Sequence, residues 1–419
     1  MRILIHGINF TPELTGIGKY SGELAEWLVA QGHDVHIVTA PPYYPQWRVA
    51  EGYANSWRRE TVKLSNLLCK EKSGTLMIYR CPLWVPSKLS GLKRLLHLAS
   101  FALSSFPIML RQIFWQPDVV LVIEPPLFCA PQAWLVARFS GAKAWLHIQD
   151  FEVDAAFDLG ILQADWLKRW VLVAERCLMR CFDRVSTISV KMLERLGRKG
   201  VVADQAVFFP NWVDLAEIYP LTTANVFRHQ LGLSTQQVVA LYSGNMGEKQ
   251  GLEIVLEAAV KLQQHTEIQF VLCGDGAAKA RLQANYADLT NVVWLQLQPL
   301  DKLNELLNMA DVHLLPQRGD VADLVMPSKL LGMLASGRPV ISSAASDTQV
   351  GGLVAHCGIL AAGEAFDGID EFVAALLQLA ANPNERTRLG RAGRLIAENT
   401  FSKTWVLSQF EQELIKLVG

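Results

Sequence analysis

The sequence has no excess of charge of either sign. Its 39 Lys and Arg residues are matched by 40 Asp and Glu residues, so the net charge is −1. Domains that bind nucleic acid present a basic surface and commonly have a pI above about 9, whereas the pI of this chain is about 6.8. Nucleic acid is therefore set aside as a partner. The sequence also has no acidic tail of the kind that indicates disorder.

Cysteine is scarce and has no metal-binding spacing. The seven cysteines are odd in number and form no C-x-x-C pair. Cys177 and Cys181 could share a helix face, but a zinc site needs further ligands and no histidine cluster supplies them. We expect buried, reduced thiols, no metal and no cofactor. The first residues predict a strand instead of a signal peptide, which indicates a cytoplasmic protein.

The sequence contains one strongly apolar segment, residues 92–110 (LKRLLHLASFALSSFPIML). His97 and Pro107 interrupt it, so it falls short of the roughly 20 apolar residues needed to span a bilayer. A buried helix is one interpretation. A helix that lies in the membrane interface is the other, because Lys88, Lys93 and Arg94 flank the segment. The second interpretation places the protein at the inner face of the plasma membrane, and the mean hydropathy of +0.19 favours it slightly.

Length and hydrophobic pattern predict an α/β protein with two Rossmann-like domains. A chain of 419 residues is long for one core, and strands alternate with helices twice. Helices are predicted over about 166–181 and 251–264, and a last helix begins after Ser402 as N-cap. The domain boundary is expected between 205 and 215. The predicted strands are residues 2–6, 34–39, 119–123, 144–148, 184–188, 238–242, 268–273, 292–295, 311–315 and 339–342.

The strongest candidate site begins at Pro327, Ser328 and Lys329. Proline is tolerated at the start of a helix, so Ser328 and Lys329 are expected in the first turn. Free backbone N–H groups and the positive end of the helix dipole favour an anion there. An ordinary capped helix is the alternative, but a lysine in the first turn opposes the dipole unless an anion binds. The pattern favours a diphosphate.

A glycine-rich loop after the strand 238–242 is the second candidate. Gly244, Gly247 and Gly251 allow close backbone approach, and Asn245 and Lys249 offer donors. A strand before the loop and a helix after it are the expected context for phosphate binding. Lys249 and Lys329 together could neutralise a departing nucleoside diphosphate.

The first half offers weaker candidates at the ends of its strands. The stretch from Pro12 to Lys19 fails as a dinucleotide fingerprint and as a P-loop, because its glycine spacing fits neither. It remains a flexible loop facing a presumed cleft. Asp150 and His147 end a buried strand and are candidates for acceptor contact or proton transfer. Asp150 is preferred, since His147 could equally be a satisfied core residue.

Several blocks in this order resemble the signatures of retaining glycosyltransferases of family 4. They are GIGKYSGEL, PNWVD, YSGNMGEKQGLE, VLCGDG and PSKLLGMLASGRPVI. The likeness spans nearly the whole chain. The stretches GINFTPELTGIGKY and APPYYPQW are similar to fucosyltransferases of bacterial exopolysaccharide (colanic-acid) biosynthesis.

The resemblance implies a GT-B fold, in which two Rossmann-like domains face each other across a cleft and the last helix crosses back to the first domain. Residues 1–210 with 402–419 would then bind the acceptor, a lipid-linked glycan, and residues 211–401 the nucleotide-sugar donor. Reaction without a metal and with retention of anomeric configuration is implied, and GDP-fucose is the implied donor. The residues implied at the diphosphate are Asn245, Lys249, Ser328 and Lys329, with Gly244 in the same loop; those near the base are Gly274, Asp275, Gly276 and 297–300; those on the acceptor side are Gly16, Gly18, Lys19, His147 and Asp150.

The sequence departs from the family at one pair of positions. Many members carry two glutamates eight residues apart, the second of which holds the donor ribose, whereas this chain has Leu324 and Gly332. Asp323 could replace the first. The alternatives are therefore a GT-B epimerase that uses the same donor and a non-catalytic sugar- or partner-binding protein. A dehydrogenase is disfavoured, because neither half has the dinucleotide fingerprint.

Overall fold

The computed structural model describes residues 1–14, 16–62, 74–87, 90–158, 165–317, 327–361 and 368–419. It divides the chain into two compact units. Unit 1 comprises Met1–Asn211 and Leu407–Gly419, and unit 2 comprises Trp212–Val406. The chain therefore passes from one unit to the other inside the expected boundary region, and it returns to unit 1 within the last helix.

Unit 1 contains an eight-stranded sheet in the order β3-β4-β2-β1-β5-β6-β7-β8. All pairs are parallel except the edge pair of β3 with β4, which is antiparallel. Both faces of a parallel sheet are covered by helices, so its central strands are apolar along their whole length; all six residues of β5 are buried. The strands are β1 Arg2–His6, β2 Asp34–Thr39, β3 Arg58–Val62, β4 Leu76–Arg80, β5 Val119–Glu124, β6 Lys143–Ile148, β7 Arg184–Thr187 and β8 Ala206–Phe208.

Helices connect these strands. The helix that follows β1 contains three glycines, and the one that follows β4 has 22 residues with Pro107 inside it. The latter coincides with the apolar segment 92–110. Short 3-10 turns lie at Ile113–Trp115, Leu127–Cys129 and Ala203–Gln205. The α-helices are α1 Gly16–Ala30, α2 Gly91–Gln112, α3 Ala130–Ser140, α4 Glu152–Asp158, α5 Asp165–Met179 and α6 Val190–Arg198.

Unit 2 contains a six-stranded, fully parallel sheet in the order β11-β10-β9-β12-β13-β14. The order reverses at β9, and ligands of open α/β sheets bind outside the carboxyl ends of the strands at such a point. Its strands are β9 Val238–Ser243, β10 Ile268–Cys273, β11 Val292–Leu295, β12 Val312–Leu315, β13 Val340–Ser342 and β14 Gly358–Leu360. Its helices, with the last one shared with unit 1, are α7 Val226–Gln230, α8 Glu253–Lys261, α9 Lys279–Asn285, α10 Leu303–Met309, α11 Ser328–Ala335, α12 Gln349–Cys357, α13 Ile369–Ala381, α14 Pro383–Thr400 and α15 Lys403–Val418, with 3-10 turns at Glu248–Gln250 and Leu300–Lys302.

The end of α15 belongs to unit 1 because aromatic side chains bury it there. The rings of Phe410 and Phe209 stack with centroids 4.2 Å apart, and Trp145 meets Phe410 edge-on at 4.9 Å. Nε2 of His33 lies 3.1 Å from a carboxylate oxygen of Glu411. The aromatic contacts supply the apolar burial that holds the last helix on the first sheet.

The predicted fold class is confirmed, and the central strands agree with the sequence pattern to within one residue at each end. The outer strands β3, β4, β8 and β14 were not predicted. The sequence of β3, RRETV, has no apolar run because it lies on an exposed edge. β14 has only three residues, too few to establish a period.

The expectation that all thiols are buried is wrong for Cys177 and Cys181. Both are exposed, whereas Cys81, Cys129 and two others are buried and free; Cys69 lies outside the described residues. The physical reason is that Cys177 lies on the outward face of α5, four residues from Cys181 just beyond the helix end. Among the residues described, no helix is both long enough and apolar enough to cross a membrane.

Replacing Phe410 by alanine is expected to lower the free energy of unfolding by about 3–5 kcal/mol, because it opens a cavity between Phe209 and Trp145. Denaturant unfolding of purified protein measures this loss. Ile415→Ala on the same helix is the matched control, since Ile415 is half exposed and should change stability by less than about 1 kcal/mol. Equal losses in both variants would show that the aromatic stack does not hold α15.

Candidate functional site

The two glycine-containing loops of unit 2 lie side by side at the carboxyl edge of its sheet. β9 and β10 are parallel neighbours, with Ser243 opposite Cys273 at their ends. The loops that follow are joined by backbone hydrogen bonds: the N–H of Gly244 donates to Cys273 O at 3.0 Å, and that of Met246 donates to Asp275 O at 2.8 Å. The chain therefore presents one continuous backbone surface there.

Glycine at position 274 is required by this close approach. Gly274 has φ +153°, and a Cβ on it would lie 1.9 Å from the carbonyl oxygen of Gly244. A Cβ on Gly276 would similarly meet the backbone of Met246 at 2.5 Å. Any side chain at either position would separate the loops. The Gly-Asp-Gly turn is thus a packing requirement as well as a candidate ligand contact.

The side chain of Lys329 lies against these loops. α11 begins at Ser328, which is exposed, and Pro327 is its N-cap. The ammonium nitrogen of Lys329 lies 4.6 Å from the ring centroid of Tyr242 and 3.1 Å from Oε1 of Gln250. The position where Gly244 would carry a Cβ is 3.5 Å from Cδ of Lys329. Two segments that are about 80 residues apart in sequence therefore meet at one ammonium group.

Burial lowers the pKa of Lys329 from 10.5 to about 8. The cause is desolvation, which disfavours the charged form. Among the described residues no carboxylate pairs with this lysine, and its partners are the ring of Tyr242 and a neutral amide. A positive charge that is partly removed from water and lacks an anionic partner is a ready site for an anion.

The structure brings together Gly244, Asn245, Gly274, Gly276 and Lys329. The hydroxyl of Tyr242 donates to the carbonyl oxygen of Asn245, which ties that residue to the lysine's ring partner. The side chains of Lys249 and of Asp323 and Leu324 lie outside the described residues. Gly332 is in α11, packed near Leu307.

Sequence reasoning missed three supports of this site, namely Tyr242, Gln250 and Lys279. Lys279 is buried, and its ammonium group donates to Gly274 O at 2.7 Å and to Leu295 O at 3.3 Å. It therefore stabilises the turn from beneath. A lysine three residues after Gly276 was the available signal, but only the fold shows that it points inward. Asp275 is exposed, and its Oδ1 accepts from the N–H of Gly276.

Acidic side chains cluster at the carboxyl ends of β5 and β6 in unit 1. Burial raises the pKa of Asp150, and the nearby Arg94 of α2 opposes this shift. Glu124 is fully buried, and burial together with the charges of Glu152 and Glu175 raises its pKa well above the ordinary value. A carboxylate with a raised pKa can exchange a proton nearer neutral pH. Asp150 is less buried than Glu124 and Glu152, and its role on the acceptor side stays a prediction.

His147 is placed in the core, which favours the alternative interpretation. It is buried, its Nδ1 is 2.9 Å from the hydroxyl of Ser186, and its Nε2 accepts from the side-chain amide of Gln149 at 2.9 Å. Burial lowers its pKa to about 3, so the ring is neutral. Both ring nitrogens have partners, and contact with an acceptor stays an untested prediction.

The loop before α1 is held by Glu13, which sequence reasoning did not select. Its Oε1 accepts from the backbone N–H groups of Tyr43 and Tyr44, at 3.0 and 3.1 Å. A Cβ on Gly18 would lie 2.6 Å from the side chain of Glu13. The buried glutamate thus joins the GINFTPELTGIGKY and APPYYPQW stretches. Gly16 begins α1 with φ +63°. The prediction of a flexible loop from Pro12 to Lys19 is therefore wrong for residues 16–19, which form the first turn of α1.

Lys19 lies on the surface of α1. Its ammonium group is 3.6 Å from Glu23 one turn further along the helix. A pair on a helix surface contributes little to stability. The role of Lys19 on the acceptor side stays a prediction.

Comparisons with known proteins identify the class. Residues 15–212 match the glycosyl transferase 4-like domain, and residues 237–382 match the glycosyl transferases group 1 domain. A colanic acid biosynthesis glycosyl transferase of Escherichia coli K12, WcaI, is 43% identical over 421 residues, covering 99% of this chain and 100% of the relative. The chain therefore belongs to the family of glycosyltransferases that contain these two domains, and it is a glycosyltransferase.

Solved structures agree on the fold. Sucrose-phosphate synthase of Thermosynechococcus elongatus superposes with a TM-score of 0.74 at 16% identity, covering 99% of this chain and 98% of that one. HepE of Anabaena, in complex with UDP-glucose, gives a TM-score of 0.65 at 13% identity, with coverage of 99% and 100%. The fold is GT-B.

The affinity of the protein for a nucleoside diphosphate is expected to fall as pH rises through about 8. We expect the anion to bind the ammonium form of Lys329, which is populated below its pKa of about 8 and lost above it. Isothermal titration between roughly pH 7 and pH 10 measures the dissociation constant. Lys329→Arg is the matched control, because its guanidinium stays charged throughout. The same decline in that variant would assign the effect to another group.

Proposed function

We propose that the chain transfers a sugar from a nucleotide-sugar to a lipid-linked glycan acceptor, in the synthesis of a colanic-acid-like exopolysaccharide. The observation that carries the proposal is the half-buried ammonium group of Lys329 beside the Gly244 loop at the N-terminus of α11. The name of the 43% identical relative supports the polysaccharide.

The donor diphosphate is proposed to bind at the first turn of α11. Free N–H groups and the helix dipole favour negative charge there, and Ser328 adds an exposed hydroxyl. Lys329 supplies the positive charge that a metal supplies in other transferases, so no metal or other cofactor is proposed. As the bond from the anomeric carbon to the phosphate oxygen breaks, charge develops on the diphosphate, and a preorganised ammonium group stabilises it.

The base of the donor is proposed to lie near Gly274–Gly276 and residues 297–300. Leu297 and Leu300 are exposed at this end of the unit 2 sheet, which leaves apolar surface for a planar ring. We propose GDP-fucose as the donor, from the likeness to exopolysaccharide fucosyltransferases. The UDP-glucose complex of HepE shows that a protein of this fold binds a nucleotide-sugar.

The acceptor is proposed to meet unit 1 at Gly16, Gly18 and Asp150. In a retaining front-face reaction, the acceptor hydroxyl attacks the anomeric carbon from the side on which the diphosphate leaves. The hydroxyl proton then passes to the departing phosphate oxygen, and no covalent sugar–enzyme intermediate forms. The carboxyl of Asp150 orients the acceptor hydroxyl, and its raised pKa lets it share a proton during this step.

We also propose that α2 attaches the protein to the inner face of the plasma membrane. Its buried residues, among them Phe101 and Met109, lie on one side of the helix. The opposite side carries an exposed apolar stripe at helical spacing, with Leu103 76% exposed. A helix that is apolar on both sides needs a second apolar environment. The members of this α2 stripe are Leu92, Leu96, Leu103, Phe106 and Leu110.

A second exposed stripe on α5 supports the same attachment. Trp166 and Trp170 are each 68% exposed and lie one turn apart, and the exposed Lys168 and Arg169 lie between them in sequence. Tryptophan and basic residues are favoured together at a membrane interface. The connection from β4 to β5 contains α2, and the connection from β6 to β7 contains α5. Both run in the same direction across the sheet, and because such connections are right-handed, both helices lie on the same face of it.

Donor binding is tested by thermal stabilisation with GDP, UDP and their sugar conjugates, with NAD and NADP as controls. A ligand that binds the native state raises Tm, and we expect the largest shift from GDP compounds. Lys329→Ala should abolish the shift and lower turnover at least 100-fold while leaving the unliganded Tm close to that of the wild type. Wild-type turnover in this variant, or stabilisation by dinucleotides alone, would refute the proposed donor site.

Membrane attachment is tested by sedimentation with vesicles of phosphatidylcholine and phosphatidylglycerol. Leu103→Gln with Leu110→Gln should weaken binding at least about tenfold, because each leucine loses about 1.5–3 kcal/mol of burial. Leu395→Gln with Ile415→Gln is the matched control, since both residues are similarly exposed elsewhere. Wild-type protein that stays wholly in the supernatant would show that the α2 stripe does not bind lipid.

A further inference from the structure

An arginine-rich pocket lies at the outer edge of the unit 1 sheet, between β3, β4 and the last turn of α2. Its volume is about 520 Å³. Four arginines line it, Arg58 and Arg59 from β3, Arg80 from β4 and Arg111 from α2, beside the rings of Tyr79 and Trp115. None of the candidate donor or acceptor residues lines this pocket.

The guanidinium groups of Arg58, Arg59 and Arg111 have no carboxylate partner in the described part of the chain. Arg59 lies over the ring of Tyr79 at 5.9 Å, and its Nε contacts the sulfur of Met77. Arg58 and Arg111 are exposed and form no ion pair with a described residue. Three like charges around one concavity repel one another. Because the whole chain has a net charge of −1, this local excess of positive charge is not a general property of the surface.

The carboxylates near the pocket are already engaged. Glu60 pairs with the buried Arg80 at 3.1 Å. Oδ1 of Asp34 accepts from the hydroxyl and the backbone N–H of Thr75. Neither is paired with Arg58, Arg59 or Arg111. The unpaired positive charge of these three residues favours an external anion.

Aromatic and amide groups hold the pocket wall in place. The ring of His36 stacks on Trp115 with centroids 3.5 Å apart, and Nδ1 of His36 donates to Oε1 of Gln112 at 2.7 Å. Nε1 of Trp57 donates to the carbonyl oxygen of Ser104 on α2, which fixes the start of β3 against the helix. These contacts hold β3 and the end of α2 together at the pocket, so their arginines lie beside one concavity.

We propose that this pocket binds a phosphoryl group, either of a lipid headgroup or of a free phosphorylated ligand. Guanidinium groups match phosphate oxygens with paired N–H donors, and Arg is preferred to Lys where such geometry matters. Arg111 directly follows Leu110 of the α2 stripe, so a headgroup and its acyl chains could be bound together. The proposal does not depend on sugar transfer or on the identity of the donor.

The test uses Arg58→Gln with Arg111→Gln in the full-length protein. Both side chains are exposed, so the fold should be unaffected, and circular dichroism checks this. Arg138→Gln with Arg391→Gln is the matched control, because it removes the same charge from two other exposed arginines. Isothermal titration with inorganic pyrophosphate should show affinity at least about tenfold weaker in the pocket variant than in the control.

Lys329→Ala separates this site from the proposed donor site, because pyrophosphate could bind at either. That variant should retain the pocket's affinity for pyrophosphate, whereas the pocket variant should retain thermal stabilisation by nucleoside diphosphates. Loss of pyrophosphate binding in Lys329→Ala alone would overturn the pocket and leave the donor site standing.

Vesicles of phosphatidylcholine, with and without phosphatidylglycerol, distinguish the two sources of phosphoryl group. A pocket variant that loses at least tenfold in affinity for the anionic vesicles, while the control does not, identifies a lipid headgroup as the ligand. A loss confined to pyrophosphate identifies a free phosphorylated ligand. A pocket variant that matches the control with both probes would overturn the proposal.

Discussion

The site in unit 2 depends on keeping one ammonium group charged in a place that disfavours charge. Lys329 is held against the ring of Tyr242 and the amide of Gln250, and burial lowers its pKa to about 8. Each neighbouring feature serves this arrangement. Gly244 has φ +145°, a backbone conformation that favours glycine, and Gly274 lets the next loop close onto Gly244. The site is thus poised to gain an anion, because an anion restores the stabilisation that burial removed.

Unit 1 uses buried charge differently, to position loops. Glu13 gathers the N–H groups of Tyr43 and Tyr44, while Arg80 donates to the carbonyl oxygens of Thr11 and Ala40. The carboxylate therefore binds backbone N–H groups and the guanidinium binds backbone carbonyl oxygens, and together they hold the same two loops. Such fully hydrogen-bonded charges define a loop conformation more strictly than apolar packing alone. This explains how the stretch before α1 can form a defined surface.

The outer face of unit 1 is distinguished by exposed apolar side chains on α2 and α5. The α2 stripe and the α5 tryptophans leave apolar surface in water, and large exposed patches of this kind commonly mark an interaction site. The same helix α2 carries Arg94 near Asp150 at one end and Arg111 in the arginine-rich pocket at the other. A single helix therefore joins the α2 stripe and the arginine-rich pocket to the candidate acceptor side.

The sequence by itself determined the fold class, the central strands and the class of enzyme. Apolar runs such as VVLVIE and IQFVLC can be satisfied only inside covered parallel sheets, and the ordered blocks from GIGKYSGEL to PSKLLGMLASGRPVI indicate the family. Tertiary structure decided which polar residues are available for chemistry. His147 had the sequence context of a catalytic residue but is satisfied in the core, whereas Glu13, Tyr242 and Lys279 had no distinctive pattern yet hold the loops. Burial and partner choice arise from contacts between segments far apart in the chain, and local periodicity carries no information about them.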